Sequence, residues 1–302
     1  MRKTKKIFII LMGFVILSCG KKEKSSKQET LNELLPPDKL VTNEEWVLIP
    51  ANAGNMGLSA FYAMKYEAKA MLVSNKSIDS TGLSIDLPTH TPVSVQNHNP
   101  WRSITAVEAS AECESRGNGY RLMSNSEWMA IARDIEMQDE NWSGNSVGSG
   151  CLSRGNSGEA DCGYIGVSPE AGENRNSRSA FRLSNSNVIY DIAGNVNEWI
   201  DWDSTTPGFQ LGPITCSNNG WQELSELNCS GLVANDYLPI NLSYDNTTKG
   251  IGLFFGGSNG ATMRGGSSAS TDKTAIYSLL FYFDTSYTST YGGFRCVYSN
   301  LN

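Results

Sequence analysis

The sequence predicts a loop-rich α+β domain, and three observations carry that expectation. Only two segments bear a complete helix signal, and each opens on a capping box. Six short apolar runs of strand length lie before and after them. Long stretches rich in Gly, Ser and Asn separate these runs, and six cysteines stand beyond residue 100.

The chain opens on a different kind of segment. Arg2, Lys3, Lys5 and Lys6 form a cationic start, followed by an unbroken apolar run from Ile7 to Leu17. Such a run at about 1.5 Å per residue is too short for a hydrocarbon core of about 30 Å, so it reads as a signal peptide rather than a membrane span. It closes on Ile16-Leu17-Ser18-Cys19, which resembles the lipobox of bacterial lipoproteins. The resemblance implies cleavage after residue 18 and a lipid on the Cys19 sulfur. No later apolar run approaches a membrane-spanning length, so lipid is the expected anchor. Gly20, not Asp, follows the cysteine. In a diderm cell that fits sorting to the outer rather than the inner membrane, so the expected location is the cell envelope.

Residues 19–40 are rich in Lys, Ser, Glu and Gln, contain Pro36-Pro37, and lack apolar periodicity. They are expected to be a solvated, lipidated tether. Residues 41–302 then form one domain, long enough for its own core. The whole chain carries −7; losing residues 1–18 removes four cations and no acid, which leaves 20 Lys and Arg against 31 Asp and Glu, or −11. An acidic surface argues against a nucleic-acid partner and favours cations.

Along the domain, strand-like runs are Trp46–Ile49 and Phe61–Glu67. Thr105-Ala-Val-Glu108 is a capping box, and an Ala-rich helix should continue to about Ser115 before Gly117-Asn118-Gly119 ends it. Ser124-Asn-Ser-Glu127 is a second box. Trp128, Ile131, Ala132 and Ile135 follow at i, i+3, i+4, i+7, one buried helical stripe. Glu127 is expected to cap backbone amides, not to act as a catalytic acid. The later strand runs are Val188–Asp191, Val196–Ile200, Leu279–Phe283 and Gly293–Tyr298.

Apart from Cys19, six cysteines remain, an even number in an exported chain, which reads as disulfides. Spacing suggests two local bridges, Cys151–Cys162 and Cys216–Cys229. Cys113 and Cys296 would then pair over a long range. A metal site is the weaker reading, because no C-x-x-C occurs and the histidines are only His90 and His98.

Six segments together resemble one family. They are Phe61-Tyr-Ala-Met-Lys-Tyr-Glu67, Pro100-Trp101 with Ala109 and Cys113, and Tyr120-Arg-Leu-Met-Ser-Asn-Ser-Glu-Trp128. Tyr190-Asp-Ile-Ala-Gly-Asn-Val-Asn-Glu-Trp199, Met263-Arg-Gly-Gly-Ser267 and Gly293-Phe-Arg-Cys296 complete the set. In this order they resemble the formylglycine-generating-enzyme-like, or sulfatase-modifying-factor, domain over about residues 44–300. The resemblance implies that family's fold, related to C-type lectins. It also implies the Cys113–Cys296 disulfide.

The most legible site is the Asp191–Glu198 turn. Calcium takes 6–8 oxygen ligands, often mixing carboxylates with carbonyls. The resemblance implies a structural Ca²⁺ held by the side chains of Asp191 and Glu198 and the carbonyls of Gly194 and Val196. A hairpin turn whose carboxylates cap loop amides is the plain alternative. A second family calcium pattern is not recognisable in Gly163–Asn187.

The family's founding activity oxidises a substrate cysteine to formylglycine, using two cysteines after RGGS to hold copper, since soft thiolates suit Cu(I). Those positions fall at Ser270 and Ala275 here. Other branches hold iron with several histidines, and two cannot build a three-His site. Neither copper nor iron is expected, no catalytic residue is assigned, and His90 and His98 read as exposed loop residues. Trp101, Trp142, Trp202 and Trp221 offer sugar-stacking chemistry, but core positions are expected for each. The Glu-Pro-Asn and Gln-Pro-Asp motifs of sugar-binding C-type lectins are absent.

Two function classes follow. The first is a non-catalytic, calcium-stabilised surface or periplasmic module that binds a protein or glycan, or serves envelope structure. The second is a metal-dependent oxidase or modifying enzyme of altered active site on the same fold.

Overall fold

The computed structural model describes residues 39–83, 87–169, 171–172, 175–202, 215–258 and 261–299. The signal segment, Cys19 and the tether up to Asp38 lie outside the described residues. Among the described residues no helix is long and apolar enough to cross a membrane.

Both capping boxes form. Thr105 Oγ1 accepts from the Glu108 amide, and the Glu108 carboxylate accepts from the Thr105 amide, opening α1 (Ala106–Ser115). Ser124 and Glu127 do the same for α2 (Asn125–Glu136). Two of the four orphan amides that every helix start leaves are thereby satisfied in each case. Trp128, Ile131, Ala132 and Ile135 are fully buried, as the periodicity predicts. The polar face of α2 is buried as well, which a single stripe does not predict. Asp134 accepts from the Ser184 amide, and Glu136 from the amides of Ile240 and Asn241 and the hydroxyl of Tyr277. Arg133 donates to the Leu238 carbonyl. Loops without regular structure thus satisfy their backbone on the helix's charged side chains.

Strands flank this helix in two main sheets. One has the order β1 (Trp46–Ile49), β2 (Phe61–Met64), β15 (Cys296–Tyr298), β5 (Tyr120–Leu122), all antiparallel. The larger has seven strands, β10 (Cys229–Ser230), β9 (Thr215–Glu223), β11 (Leu253–Ser258), β13 (Leu279–Phe283), β12 (Ala261–Arg264), β8 (Asn197–Ile200) and β14 (Gly292–Phe294). Among the described residues two hairpins complete the set, β3 (Lys69–Leu72) with β4 (His90–Val93) and β6 (Ala180–Arg182) with β7 (Val188–Tyr190).

Four predicted strands are trimmed: Val196–Ile200 loses only Val196, and the other three are cut for one reason. The run Gly293–Tyr298 is not one strand: it breaks at Arg295, where the chain leaves the large sheet and enters the small one. The run Phe61–Glu67 ends at Met64, and Val188–Asp191 at Tyr190. Each break leads to a charged side chain that turns into the interior: Arg295, Glu67 and Asp191, all fully buried. The disulfide Cys113–Cys296 joins α1 to the first residue of β15, and Cys151–Cys162 and Cys216–Cys229 close the two local loops. Indole donors of Trp128 and Trp199 reach the carbonyls of Ile276 and Ile104, so these buried rings lose no hydrogen bond.

Candidate functional site

The turn between β7 and β8 is where the motifs converge. Asp191 leaves β7 with φ 57°, and Asn195 stands at φ 61°, both in the left-handed region that Asp and Asn tolerate. Gly194 lies at φ 80°, and a Cβ there would sit 2.6 Å from the Asn156 carbonyl oxygen and 2.7 Å from that of Arg154. Only glycine lets the turn pass so close. The Gly194 amide donates to the Gly265 carbonyl, and the Ser268 amide donates to the Asn195 carbonyl. The turn is therefore clamped to the Arg264-Gly-Gly-Ser267 segment, far away in sequence.

Three carboxylates and three cations meet beneath this turn. Arg295 donates through Nε to Glu198 Oε2 at 3.0 Å and through Nη2 to Oε1 at 2.8 Å. The same guanidinium reaches the carbonyls of Met64 and Tyr190. Arg175 donates through Nε to Asp191 Oδ2 at 2.6 Å and through Nη1 to the carbonyls of Gln96 and Gly172. Its guanidinium also lies 5.0 Å over the Tyr66 ring. Glu67 accepts from Asn195 Nδ2 at 2.6 Å and from the Val196 amide at 3.2 Å. Lys69 Nζ donates to the Glu67 carbonyl and lies 3.9 Å from Glu67 Oε2. Burial pushes the Glu67 carboxyl up, and the Asp191 charge adds to the rise. Burial pushes the Lys69 ammonium down. Glu198 is also raised by burial, against the pull of Arg295.

The four positions expected to hold calcium do lie on this one turn, but the fit to the ion is poor. Calcium needs 6–8 oxygens. Both Glu198 oxygens are engaged by Arg295, and Asp191 Oδ2 by Arg175. Asp191 Oδ1 is the one oxygen of these two carboxylates that is buried without a hydrogen bond. Among the described residues no group of three or more His, Cys, Asp or Glu side chains is arranged to hold a metal.

The positions aligned with the copper cysteines lie elsewhere. Ser270 Oγ is 2.9 Å from Ser267 Oγ, and Ala275 is fully buried with its amide donating to Ser278 Oγ. His90 begins β4, half-buried at 6.3 Å from the Trp101 ring, rather than lying in an exposed loop. Trp101 and Trp142 are core residues, and Trp202 packs edge-on against Phe281. Trp221 departs from the expectation: it is 37 % exposed, edge-on to Phe255, with Lys273 Nζ 5.8 Å above its ring. Glu127 caps α2 and also takes a bidentate pair from Arg121, with both distances at 2.6 Å.

Sequence reasoning missed Glu67, Lys69 and Arg175 as members of the site. Lys69 carried a signal, since it stands alone in the apolar run Ala68-Lys-Ala-Met-Leu72. A lone charge in such a run marks a paired, buried group. Arg175 sits in a polar loop and carried none.

Compared with known families, residues 3–300 match the sulfatase-modifying factor enzyme 1-like domain. No curated protein matches the chain. Among solved structures, a P3c variant of a major tropism determinant is 14 % identical over 79 % of this chain and 50 % of that one, with a TM-score of 0.31. The chain thus spans half the length of that protein. Variable protein 1 of Treponema denticola is 14 % identical over 84 % of this chain and 99 % of that one, with a TM-score of 0.30.

Proposed function

The chain belongs to the sulfatase-modifying factor enzyme 1-like domain family, and from that premise we propose that it is an envelope lipoprotein whose domain binds a partner or braces the envelope without the family's oxidation chemistry. The observation that carries this reading is the state of the sulfur. Ser270 and Ala275 stand where copper-holding thiolates are expected, and all six cysteines of the domain are consumed in disulfides. A disulfide sulfur is not a thiolate and cannot serve as the soft ligand that Cu(I) needs.

The anchor would be lipid on Cys19, placing the domain on the outer membrane. A net charge of −11 on the mature chain disfavours nucleic acid, which leaves protein or glycan as the partner. Exposed apolar side chains supply contact chemistry for such a partner: Trp221 on β9, and Val233, Ile240 and Leu242 outside the strands. An exposed tryptophan with a lysine above its ring suits either class.

The test has two arms. Cells fed a labelled fatty acid should label the chain, and Cys19→Ala should abolish labelling and release the protein from membranes. The detergent-extracted protein, given Cu(I) and a cysteine peptide, should retain no stoichiometric copper and form no aldehyde. Copper or iron near one per chain, with peptide oxidation, would overturn the non-catalytic reading.

A further inference from the structure

We infer that Lys69, Arg175 and Arg295 take the place of a bound calcium ion as the counter-charge of the Asp191–Glu198 turn. A cation at such a turn gathers carboxylate and carbonyl oxygens from separate strands onto one point. The two arginines already do this. Arg295 collects both oxygens of Glu198 and the carbonyls of Met64 and Tyr190. Arg175 collects one oxygen of Asp191 and the carbonyls of Gln96 and Gly172. Lys69 serves the third carboxylate, Glu67, which in turn holds Asn195 and the Val196 amide in place. The two carboxylates an ion would draw together, Asp191 and Glu198, are thus each held by an arginine from another segment, together with carbonyls of Met64, Tyr190, Gln96 and Gly172.

Charge balance points the same way. Glu67, Asp191 and Glu198 are matched one for one by Lys69, Arg175 and Arg295, at 3.9, 2.6 and 2.8 Å. The Glu67–Lys69 pair is neutral overall whichever partner holds the proton. These six groups are fully or almost fully buried at their side chains. A calcium ion added to this balanced set would leave two uncompensated positive charges out of water, a heavy cost in the interior. It would also have to displace the arginines from Glu198 and Asp191 to find ligands. Asp191 Oδ1, buried and without a hydrogen bond, is the position from which a cation would compete, and the experiment is aimed there.

The intact detergent-extracted protein is dialysed against EDTA, analysed for calcium, and melted in EDTA and in excess calcium. A ligand that binds only the native state raises the melting temperature with its concentration. The expected result is no stoichiometric calcium and one melting temperature in both buffers. Lys69→Met and Arg175→Met should each lower that temperature equally in EDTA and in calcium, because each leaves a buried carboxylate unmatched. One calcium per chain, or a wild-type melt that falls in EDTA, overturns the inference. So does a lysine or arginine variant that folds and melts like the parent. If a variant fails to fold, the wild-type measurement alone decides. None of these outcomes depends on whether the domain is catalytic.

Discussion

Replacing Cys113 and Cys296 together by alanine should cost more than removing either local disulfide, by a predictable margin. The bridge spans 183 residues, against 11 for Cys151–Cys162 and 13 for Cys216–Cys229. Loop-closure entropy scales with the logarithm of that span, giving about 5 kcal/mol for the long bridge and about 3 kcal/mol for each short one. The short loops lie inside the long one, and shortening it by their lengths barely changes the logarithm. Packing adds to the difference in the same direction. Cys113 and Cys296 are fully buried against Trp101, Trp199 and Phe294, whereas the other four are half-buried. Truncating them opens a cavity in a close-packed cluster. The assay is urea unfolding of the three double-alanine proteins without reductant. The long-bridge variant should show the largest drop in midpoint, with a steeper slope because its denatured state is less constrained. If either local variant loses as much stability as the long-bridge variant, the entropic reasoning fails for this domain.

Two further outcomes follow from the helices. Ser124→Ala removes the oxygen that accepts from the Glu127 amide and should cost about 1 kcal/mol in urea unfolding, with no change in slope. Burial, and secondarily the Glu108 charge, pushes the Glu112 carboxyl from 4.5 up to about 7. The native state therefore keeps a proton that the unfolded chain releases. Its contribution is fully present below pH 4.5 and is lost as pH rises through about 7. Glu112→Gln should flatten the pH dependence of the melting temperature across that window, and an unchanged profile would refute the assignment.

Much of the scaffold was legible because its signals are local. The two capping boxes need only four residues each, and both form with the expected partners. The strand runs at Trp46–Ile49 and Leu279–Phe283 match the observed strands end to end. The hairpin of β3 with β4 was not legible. A lysine opens the first strand and a proline lies within the second, and neither run is strand-like without its partner. The site was half legible: Asp191, Gly194 and Glu198 stand on one short signature, whereas Glu67, Lys69 and Arg175 come from remote segments.

What the sequence alone determined is therefore what neighbouring residues decide among themselves: helix starts, the glycines of the tight turn, an even set of cysteines, and six motifs in family order. The tertiary structure decided which charges face one another. Arg295 lies 97 positions from Glu198, and Lys69 lies in a strand that nothing local ties to the Asp191 turn. A buried carboxylate is tolerable only with a partner, and that partner is chosen by where the strands cross, not by spacing along the chain. The same rule explains α2. Its apolar stripe was readable from periodicity, but the burial of Asp134 and Glu136 depends on loops that fold back to give them amide donors.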